Sequence, residues 1–249
     1  MPHTEGKRYA VLAALVSCHV ERLLDDRSFA VLRRLVERPP GGLAIALLLR
    51  PPDPEAGESE ERWLERARAL AALSPIGHHT HFVSPLHARP HAPGPEHAQR
   101  VRAEAAWLRA HGLRPRFFCG GGWYMDEAVA TALAELGYID CTATAFPPPY
   151  LSGEAPRLEL AFPAWLRLPS GARLLELPAT HSLGMAARAL VAPVSPYVHV
   201  YFHDTDLLSP WRRAALRLAL AVLARRRPAA SLEAIEPLVE LDFSQASRP

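Results

Sequence analysis

The chain has 249 residues, of which 49% are hydrophobic and 22% are charged, and its formal net charge is only +2. A chain of this size can bury a substantial core, and we expect residues 1–249 to form a single α/β domain. Basic and acidic residues are interleaved along the chain, so we expect no nucleic-acid partner. The three cysteines lack Cys-x-x-Cys spacing, which argues against a disulfide framework and against a thiolate zinc site.

The first predicted element is a buried apolar strand over residues 9–17. Two basic residues precede it, and the stretch 15–18 has the pattern of a lipoprotein cleavage site. However, the apolar run is only about 8 residues long, short for a signal sequence and far below the ~20 residues that span a bilayer. We therefore expect a cytoplasmic protein with no stable membrane insertion, and an exported lipoprotein anchored through Cys18 is the alternative.

Short apolar runs then alternate with longer amphipathic ones. The predicted strands cover residues 9–17, 43–49, 76–83, 116–119, 138–142, 173–177 and 197–203, and the predicted helices cover 28–37, 58–73, 96–111, 126–136 and 210–226. Repeated strand–helix units favour a parallel sheet covered by helices, either a barrel or an open doubly wound sheet. In both, functional residues collect at the C-terminal ends of the strands. Residues 51–57, 84–95 and 146–170 interrupt the alternation and are predicted to be loops.

Histidine is concentrated at the end of the third predicted strand. Residues two apart on a strand point to the same face, so His79 and His81 can present two imidazoles to one cation while His78 points away. Neutral imidazole is a good ligand for zinc and similar divalent metals. We interpret His79 and His81 as metal ligands, with zinc as the best-fitting ion. The other histidines of this stretch are interpreted as solvated loop side chains: His87, His91 and His97.

The end of the first predicted strand offers a third ligand. Its last residues, Ser-Cys-His-Val-Glu at 17–21, place His19 and Glu21 on one face. A carboxylate from this strand end would complete a set of two histidines and one acid, with His19 as a fourth ligand or as the base for a metal-bound water. The alternative is a loop whose charges simply face water.

A glycine-rich turn follows the fourth predicted strand. Glycine permits a positive φ and the close approach of a ligand, and neighbouring aromatic rings suit stacking on a sugar. The candidate substrate-binding residues are therefore Gly121, Gly122, Trp123 and Tyr124, with a tight turn bearing core aromatics as the alternative. Cys119 precedes them at the strand end, but the sequence pairs it with no dedicated base, which argues against a nucleophile.

The last predicted strand ends at His203, which an acidic turn follows. A histidine in this position is a candidate general acid. Asp206 and Ser209 are interpreted as helix-capping residues. His181, after the strand at 173–177, is a weaker candidate with the same strand-end placement.

The helix predicted over residues 210–226 carries an apolar stripe of Leu216, Leu220 and Leu223, with arginines at both ends. Such a pattern is compatible with a membrane-surface helix. An outer helix of a barrel explains the stripe more simply, and we adopt that interpretation.

In this order, the motifs resemble those of the NodB-type polysaccharide deacetylases of carbohydrate esterase family 4. Residues 17–21 stand in place of the family's strand-end acidic motif, and 77–82 (Gly-His-His-Thr-His-Phe) in place of its histidine motif. Residues 118–124 match its arginine-bearing loop with following aromatics, and 202–204 match its final histidine motif. The likeness spans roughly residues 9 to 240.

The resemblance implies a distorted (β/α) barrel of about seven strands. It also implies a divalent metal held by Glu21, His79 and His81, and hydrolytic removal of an N- or O-acetyl group from a carbohydrate. A related small, non-sugar amide is an alternative substrate.

Three departures from the family pattern bear on activity. His19 stands where the family usually has the aspartate taken as general base, and Cys119 stands where an arginine commonly orients that aspartate. The histidines are spaced His-x-His where many members have His-x-x-x-His. Either His19 now serves as the base, with His203 as the acid, or the protein is a catalytically silent carbohydrate-binding protein on the same scaffold.

Overall fold

The computed structural model describes residues 13–248, apart from 149–150, 152–154, 189–194, 227, 229, 231 and 238. The described strands are Ala13–Val20 (β1), Ala46–Leu49 (β2), Ile76–Thr80 (β3), Phe117–Gly120 (β4), Ile139–Asp140 (β5), Arg157–Leu158 (β6), Ala164–Arg167 (β7), Arg173–Glu176 (β8), His181–Ser182 (β9), Tyr197–His203 (β10), Glu240–Asp242 (β11) and Ser247–Arg248 (β12). The described α-helices are Asp26–Glu37 (α1), Glu60–Ala71 (α2), Pro95–Ala110 (α3), Glu127–Leu136 (α4), Leu183–Arg188 (α5), Pro210–Arg226 (α6) and Phe243–Ala246 (α7).

Ten strands form one mostly parallel sheet. Seven of them, in the order β10-β1-β2-β3-β4-β5-β8, pair in parallel, and the short β9 adds to β10. At the other edge β7 pairs antiparallel with β8, and β11 adds to β7. The expected α/β class, with about seven strands of a distorted barrel, is confirmed. Between the described residues, no ladder joins the two outer strands β9 and β11.

The alternation of side chains along β1 separates two cores. Even-numbered residues such as Val16 and Cys18 pack with the residues of α1, α2 and α6 that face the sheet. Odd-numbered residues such as Leu15 point to the opposite side, where they meet residues of β4, β8 and β10. All eight residues of β1 are buried. A strand buried on both faces is typical of a parallel sheet covered by helices.

The helices begin and end at residues whose chemistry suits those positions. Asp25 and Asp126 cap α1 and α4 by accepting hydrogen bonds from Ser28 and Val129 backbone N–H groups, each at 2.7 Å. Gly137 ends α4 with a φ of 71°, a conformation that glycine adopts without strain. In α6 the stripe of leucines predicted to face a barrel is buried, so the outer-helix interpretation is confirmed: Leu216, Leu220 and Leu223.

The prediction that residues 146–170 form a loop is wrong, because β6 and β7 lie within this segment. Both are short, and β7 lies near the edge of the sheet, so neither shows the long apolar run by which the other strands were recognised. Of the first predicted strand, residues 9–12 lie outside the described residues, and the remainder extends to Val20. No helix in the described part of the chain is both long and apolar enough to cross a membrane.

Candidate metal centre

Four side chains from three strand ends meet at the C-terminal edge of the sheet. The Nε2 atoms of His79, His81 and His203 lie 3.9, 3.6 and 3.7 Å from Oε1 of Glu21. The parallel pairing of β1 with β10, in which His19 lies opposite His203, brings these strand ends into register. Ligand atoms of Glu21, His79 and His81 all lie within 4.8 Å of one another, a separation that could hold a metal ion. The sequence therefore predicted correctly that these residues come together.

The two histidines after β3 present lone pairs to this cluster. Nδ1 of His79 lies 2.8 Å from the carbonyl oxygen of Cys119, and Nδ1 of His81 lies 3.0 Å from that of Pro85. Because a carbonyl oxygen can only accept, both Nδ1 atoms must donate, which leaves Nε2 unprotonated in the neutral ring. Nε2 of His81 is buried and has no hydrogen-bond partner among the described residues.

This arrangement fits a divalent cation. Two imidazole lone pairs beside a carboxylate repel one another unless a positive charge lies between them, and backbone carbonyls that accept from Nδ1 are the usual outer partners of metal-bound histidines. The pKa of His79 is lowered to about 3, above all by burial. Burial raises the pKa of Glu21, but the positive charge that the neighbouring imidazoles carry when protonated outweighs it and lowers that pKa to about 2. Glu21 is thus a carboxylate and His79 a neutral ring at neutral pH.

His19 lies deeper, beneath the cluster. Its ring centroid is 4.7 Å from that of His79 and 5.0 Å from that of His203, and it stacks on Tyr201 at 5.4 Å. The pKa of His19 is well below its usual value, first because of burial and then because of His79. The ring is therefore neutral, and its surroundings disfavour its protonated form.

A second set of potential ligands shares one residue with the first. His19, His79 and Cys119 also place ligand atoms within 4.8 Å of one another. Since Nδ1 of His79 donates to a carbonyl, only its Nε2 can bind a metal, and the two sets compete for it. Burial, and next the charge of Asp140, raise the pKa of the Cys119 thiol well above its usual range, which favours the set with the carboxylate.

Two charged residues that the sequence did not single out hold the backbone on either side of Glu21. Nε and Nη2 of Arg50 donate to the carbonyl oxygen of Glu21 at 3.3 and 3.2 Å. Oδ2 of Asp204 accepts from the backbone N–H of Arg22 at 2.8 Å. The peptide group that joins Glu21 to Arg22 is therefore fixed at both ends. A sequence signal existed, because Arg50 directly follows the apolar strand β2 and Asp204 directly follows His203.

The two aromatic residues of the glycine-rich turn are both buried, Trp123 beside His19 and Tyr124 in a different core cluster. Trp123 is the one non-glycine residue with a positive φ (60°) in the described part of the chain, and its ring lies 5.4 Å from His19. Tyr124 turns the other way: it is fully buried, its hydroxyl donates to Asp126, and its backbone N–H donates to Gly121. The prediction that the Tyr124 side chain contacts a substrate is therefore corrected, because the positive φ at Trp123 rotates the two rings into different environments. Gly121 is buried under β3, and Gly122 is partly exposed.

The remaining histidines fall into structural and exposed classes. His78 points away from the cluster, as predicted, and its Nε2 lies 2.8 Å from Oε2 of Glu104. The interpretation of His97 as a solvated side chain is wrong, because it is buried against Phe82 and its Nε2 donates to the carbonyl oxygen of Ala92. The histidines that are exposed as expected are His87 and His91.

A groove of about 720 Å³ leads away from His203 between α5 and α6. Phe146, Tyr201, Leu183 and Met185 form an apolar wall, and the planes of Phe146 and Tyr201 are nearly parallel. Asp206, at the same edge, accepts from the backbone N–H of His203 at 3.0 Å, as expected of a capping residue. A substrate that enters through this groove meets a largely apolar wall next to His203.

No protein-family model matches the sequence, and no curated protein matches it. Solved structures do. The chain is similar to a 4-alpha-glucanotransferase from Thermococcus litoralis, with a TM-score of 0.52 and 13% identity over 94% of this chain and 40% of that one. It is also similar to a CE4-family pseudoenzyme from Bacillus anthracis (TM-score 0.52, 8% identity, 94% and 65% covered) and to the chitin deacetylase from Colletotrichum lindemuthianum (0.49, 14%, 90% and 86%). This chain thus spans only about two fifths of the glucanotransferase, and at these identities the likeness establishes the fold.

Proposed function

We propose that this protein is a divalent-metal-dependent hydrolase that removes an acetyl group from an N- or O-acetylated sugar or a related small amide. One observation carries the proposal: the Nε2 atoms of His79, His81 and His203 converge on one oxygen of Glu21 at 3.6 to 3.9 Å. Such a cluster of lone pairs and negative charge is suited to a cation. When bound, a divalent ion such as zinc supplies Lewis acidity toward a carbonyl oxygen and activates water.

Each residue of the cluster has a role in this proposal. Glu21, His79 and His81 hold the ion and leave a position open for water or substrate. To His19, a neutral ring next to His79, the proposal assigns the transient acceptance of the proton of the attacking water. His203 is partly exposed at the opening of the groove, and it protonates the leaving amine or alkoxide there.

The proposed substrate class rests on the resemblance of the strand-end motifs to the CE4 deacetylases. The Phe146–Tyr201 wall of the groove offers apolar surface for one face of a sugar ring or for a small apolar group, whereas Trp123 is buried against His19. The backbone N–H of Tyr124 is not free to stabilise an oxyanion, because it already donates to the carbonyl oxygen of Gly121.

Metal content tests the proposal directly. The purified protein is loaded with zinc, cobalt or nickel, dialysed, and measured by elemental analysis beside two variants. We expect about one ion per chain in the wild type and in His87→Ala, which removes an exposed loop histidine, and a large loss in His79→Ala. A wild type that retains no metal, or a His79→Ala variant that retains as much as the wild type, would refute the proposal.

A catalytically silent carbohydrate-binding protein is the second candidate. His19 and Cys119 favour it, because they replace the aspartate and arginine that the resembled family commonly uses, and a CE4-family pseudoenzyme shares the scaffold. Acetate release is measured on N-acetylglucosamine oligomers, peptidoglycan fragments and acetylated xylan, beside a binding assay. Binding without acetate release selects this candidate, and acetate release selects the hydrolase. Acetate release from small non-sugar amides alone would identify a small amide, and not a sugar, as the substrate class.

A further inference from the structure

Helix α6 presents a second surface that the proposed chemistry does not use. Its sequence contains five arginines and no acidic residue. While its leucine stripe packs on the barrel, Trp211, Ala214 and Leu218 are exposed. These three are spaced i, i+3 and i+7 and so form one ridge along the solvent side of the helix. Trp211 is 86% exposed and Leu218 is 56% exposed, values that set them apart from most large apolar side chains of the chain.

On one side of this ridge lies a groove of about 440 Å³ between α1 and α6, which we term the arginine groove. Its polar lining consists of arginines alone, and apolar residues form its floor; the lining residues are Arg27, Val31, Arg34, Leu35, Leu207, Arg213, Leu216 and Arg217. Arg34 and Arg213 donate to backbone carbonyls, which leaves their positive charge uncompensated. Arg27 and Arg217 have no hydrogen-bond or ion-pair partner within the described ranges.

The acids of the neighbouring elements are engaged elsewhere. Asp26, at the start of α1, pairs with Arg62 and Arg66, and Glu37, at its end, pairs with Arg33. Four guanidinium groups thus face one groove with no carboxylate among its lining residues. On the other side of the ridge, Arg212 pairs with Asp206, while Arg188 lines the groove that leads to His203.

We propose that the arginine groove and the Trp211–Leu218 ridge form a docking surface for an anionic lipid membrane. The phosphate groups of lipids supply the negative charge that the four arginines lack, and guanidinium groups bind phosphate in a bidentate manner. The ridge supplies what a soluble anion would not need: a tryptophan and a leucine side by side, which enter the boundary between headgroups and acyl chains. Free polyphosphate or a nucleic acid would leave Leu218 in water.

The docking surface lies next to the groove that leads to the candidate metal centre. Arg212 and Ala215 of α6 line the groove that leads to His203, and Arg213 and Arg217 line the arginine groove, with the ridge between them. A membrane bound to the ridge therefore lies beside the opening that leads to His203. The docking itself does not depend on the proposed metal chemistry, so the two proposals stand or fall separately.

Vesicle sedimentation with the full chain tests the docking surface. The vesicles contain either phosphatidylcholine alone or phosphatidylcholine with 30% phosphatidylglycerol, a composition chosen for its negative charge. We expect sedimentation with the anionic vesicles, weakening steeply as salt is raised, and little with the neutral ones. Each arginine near an anionic surface is worth about fivefold in partitioning, so Arg27→Gln with Arg217→Gln should weaken binding about 25-fold.

Two further variants test whether vesicle binding depends on this surface or only on the total positive charge of the protein. Arg68→Gln with Arg114→Gln removes the same charge from exposed positions outside the groove and should change binding little. Trp211→Ala should weaken binding and abolish a blue shift of tryptophan fluorescence on vesicle addition. Any of three outcomes overturns the proposal. The two double variants lose vesicle binding equally, Trp211→Ala binds vesicles as the wild type does, or the wild type does not bind anionic vesicles. Binding of inorganic polyphosphate or single-stranded RNA in the absence of vesicle binding also overturns it.

Discussion

Two fully buried carboxyl groups, Asp140 and Glu176, lie opposite each other where β5 pairs with β8. Oδ1 of Asp140 accepts from the backbone N–H and hydroxyl of Thr142, and Oε1 of Glu176 accepts from the backbone N–H of Ala143 at 3.0 Å. The second oxygen of each, Oδ2 of Asp140 and Oε2 of Glu176, is buried without a hydrogen-bond partner among the described residues, and a proton shared between the two carboxyl groups would satisfy both. Burial raises the pKa of both, and the charge of Asp140 next raises that of Glu176. We therefore expect the pair to retain one proton to a higher pH than free carboxyl groups do.

Holding the shared proton lowers the free energy of unfolding at neutral pH by an amount that can be calculated. A carboxyl whose folded pKa lies above its unfolded value binds its proton more tightly when folded. Its contribution to stability is therefore greatest below the unfolded pKa and declines as the pH rises toward the folded one. Retaining one proton at pH 7, where an unfolded glutamate of pKa ~4.3 has released it, costs about 3.5 kcal/mol. In Glu176→Gln an amide N–H takes the place of the shared proton, so folding no longer requires the uptake of a proton.

We expect the free energy of unfolding of Glu176→Gln, relative to wild type, to rise by about 1.4 kcal/mol per pH unit between roughly pH 5 and 7. Urea unfolding at pH 5, 6 and 7 measures this difference. Glu65→Gln, on the exposed face of α2, is the matched control and should parallel the wild type. A difference between Glu176→Gln and wild type that is independent of pH would show that the pair holds no extra proton, and would refute the reasoning.

Three further outcomes are expected. His203→Asn should lower kcat at least 10²-fold, because the proposal gives His203 the role of donating a proton. Its zinc content, measured by elemental analysis, should stay unchanged, because His203 does not hold the ion, and loss of zinc would contradict this. Arg50→Gln should weaken zinc affinity about 10- to 100-fold, because the guanidinium fixes the carbonyl oxygen of Glu21. A competition titration with a chelator measures this affinity, and an unchanged value would show that Arg50 does not support the metal site. Gly121→Ala should lower the free energy of unfolding by about 1–3 kcal/mol in urea, since its Cβ would lie 2.6 Å from the carbonyl oxygen of Thr80 and 2.8 Å from Cβ of Ala88. Gly184→Ala is the control, because φ is not positive at either glycine and a Cβ at Gly184 would meet no atom closer than 4.0 Å; an equal loss in both variants would contradict the reasoning.

The parts of the site that the sequence predicts are those governed by local rules. Alternation along a strand separates His78 from His79 and His81, and the common C-terminal edge of parallel strands brings Glu21 and His203 to the same place. Neither rule needs knowledge of which strands are neighbours. For this reason a single sequence suffices to assemble the cluster, although not to place its atoms.

Other features depend on contacts between distant segments. Asp140 meets Glu176 only because β8 pairs with β5 while β7, between them in sequence, passes to the far side of β8. The opposite placements of Trp123 and Tyr124 follow from a single positive φ, which composition does not reveal. Arg50 and Asp204 act on the backbone around Glu21, and each lies a long way from it in sequence.

The buried environment of His19 explains why the replacements at positions 19 and 119 belong together. An aspartate at position 19 would add a second carboxylate beside Glu21, and Cys119, a protonated thiol, offers no positive charge to offset it. A neutral imidazole needs no such partner, and the rings of Tyr201 and Trp123 pack against it without a charge to solvate. His19→Asp alone is therefore expected to lower stability, and only the pair His19→Asp with Cys119→Arg can restore the charge balance. The pocket thus favours a neutral ring at position 19. The proposed role of His19 as proton acceptor predicts acetate release by the wild type that is lost in His19→Ala with its zinc retained, and unchanged release in that variant would contradict it.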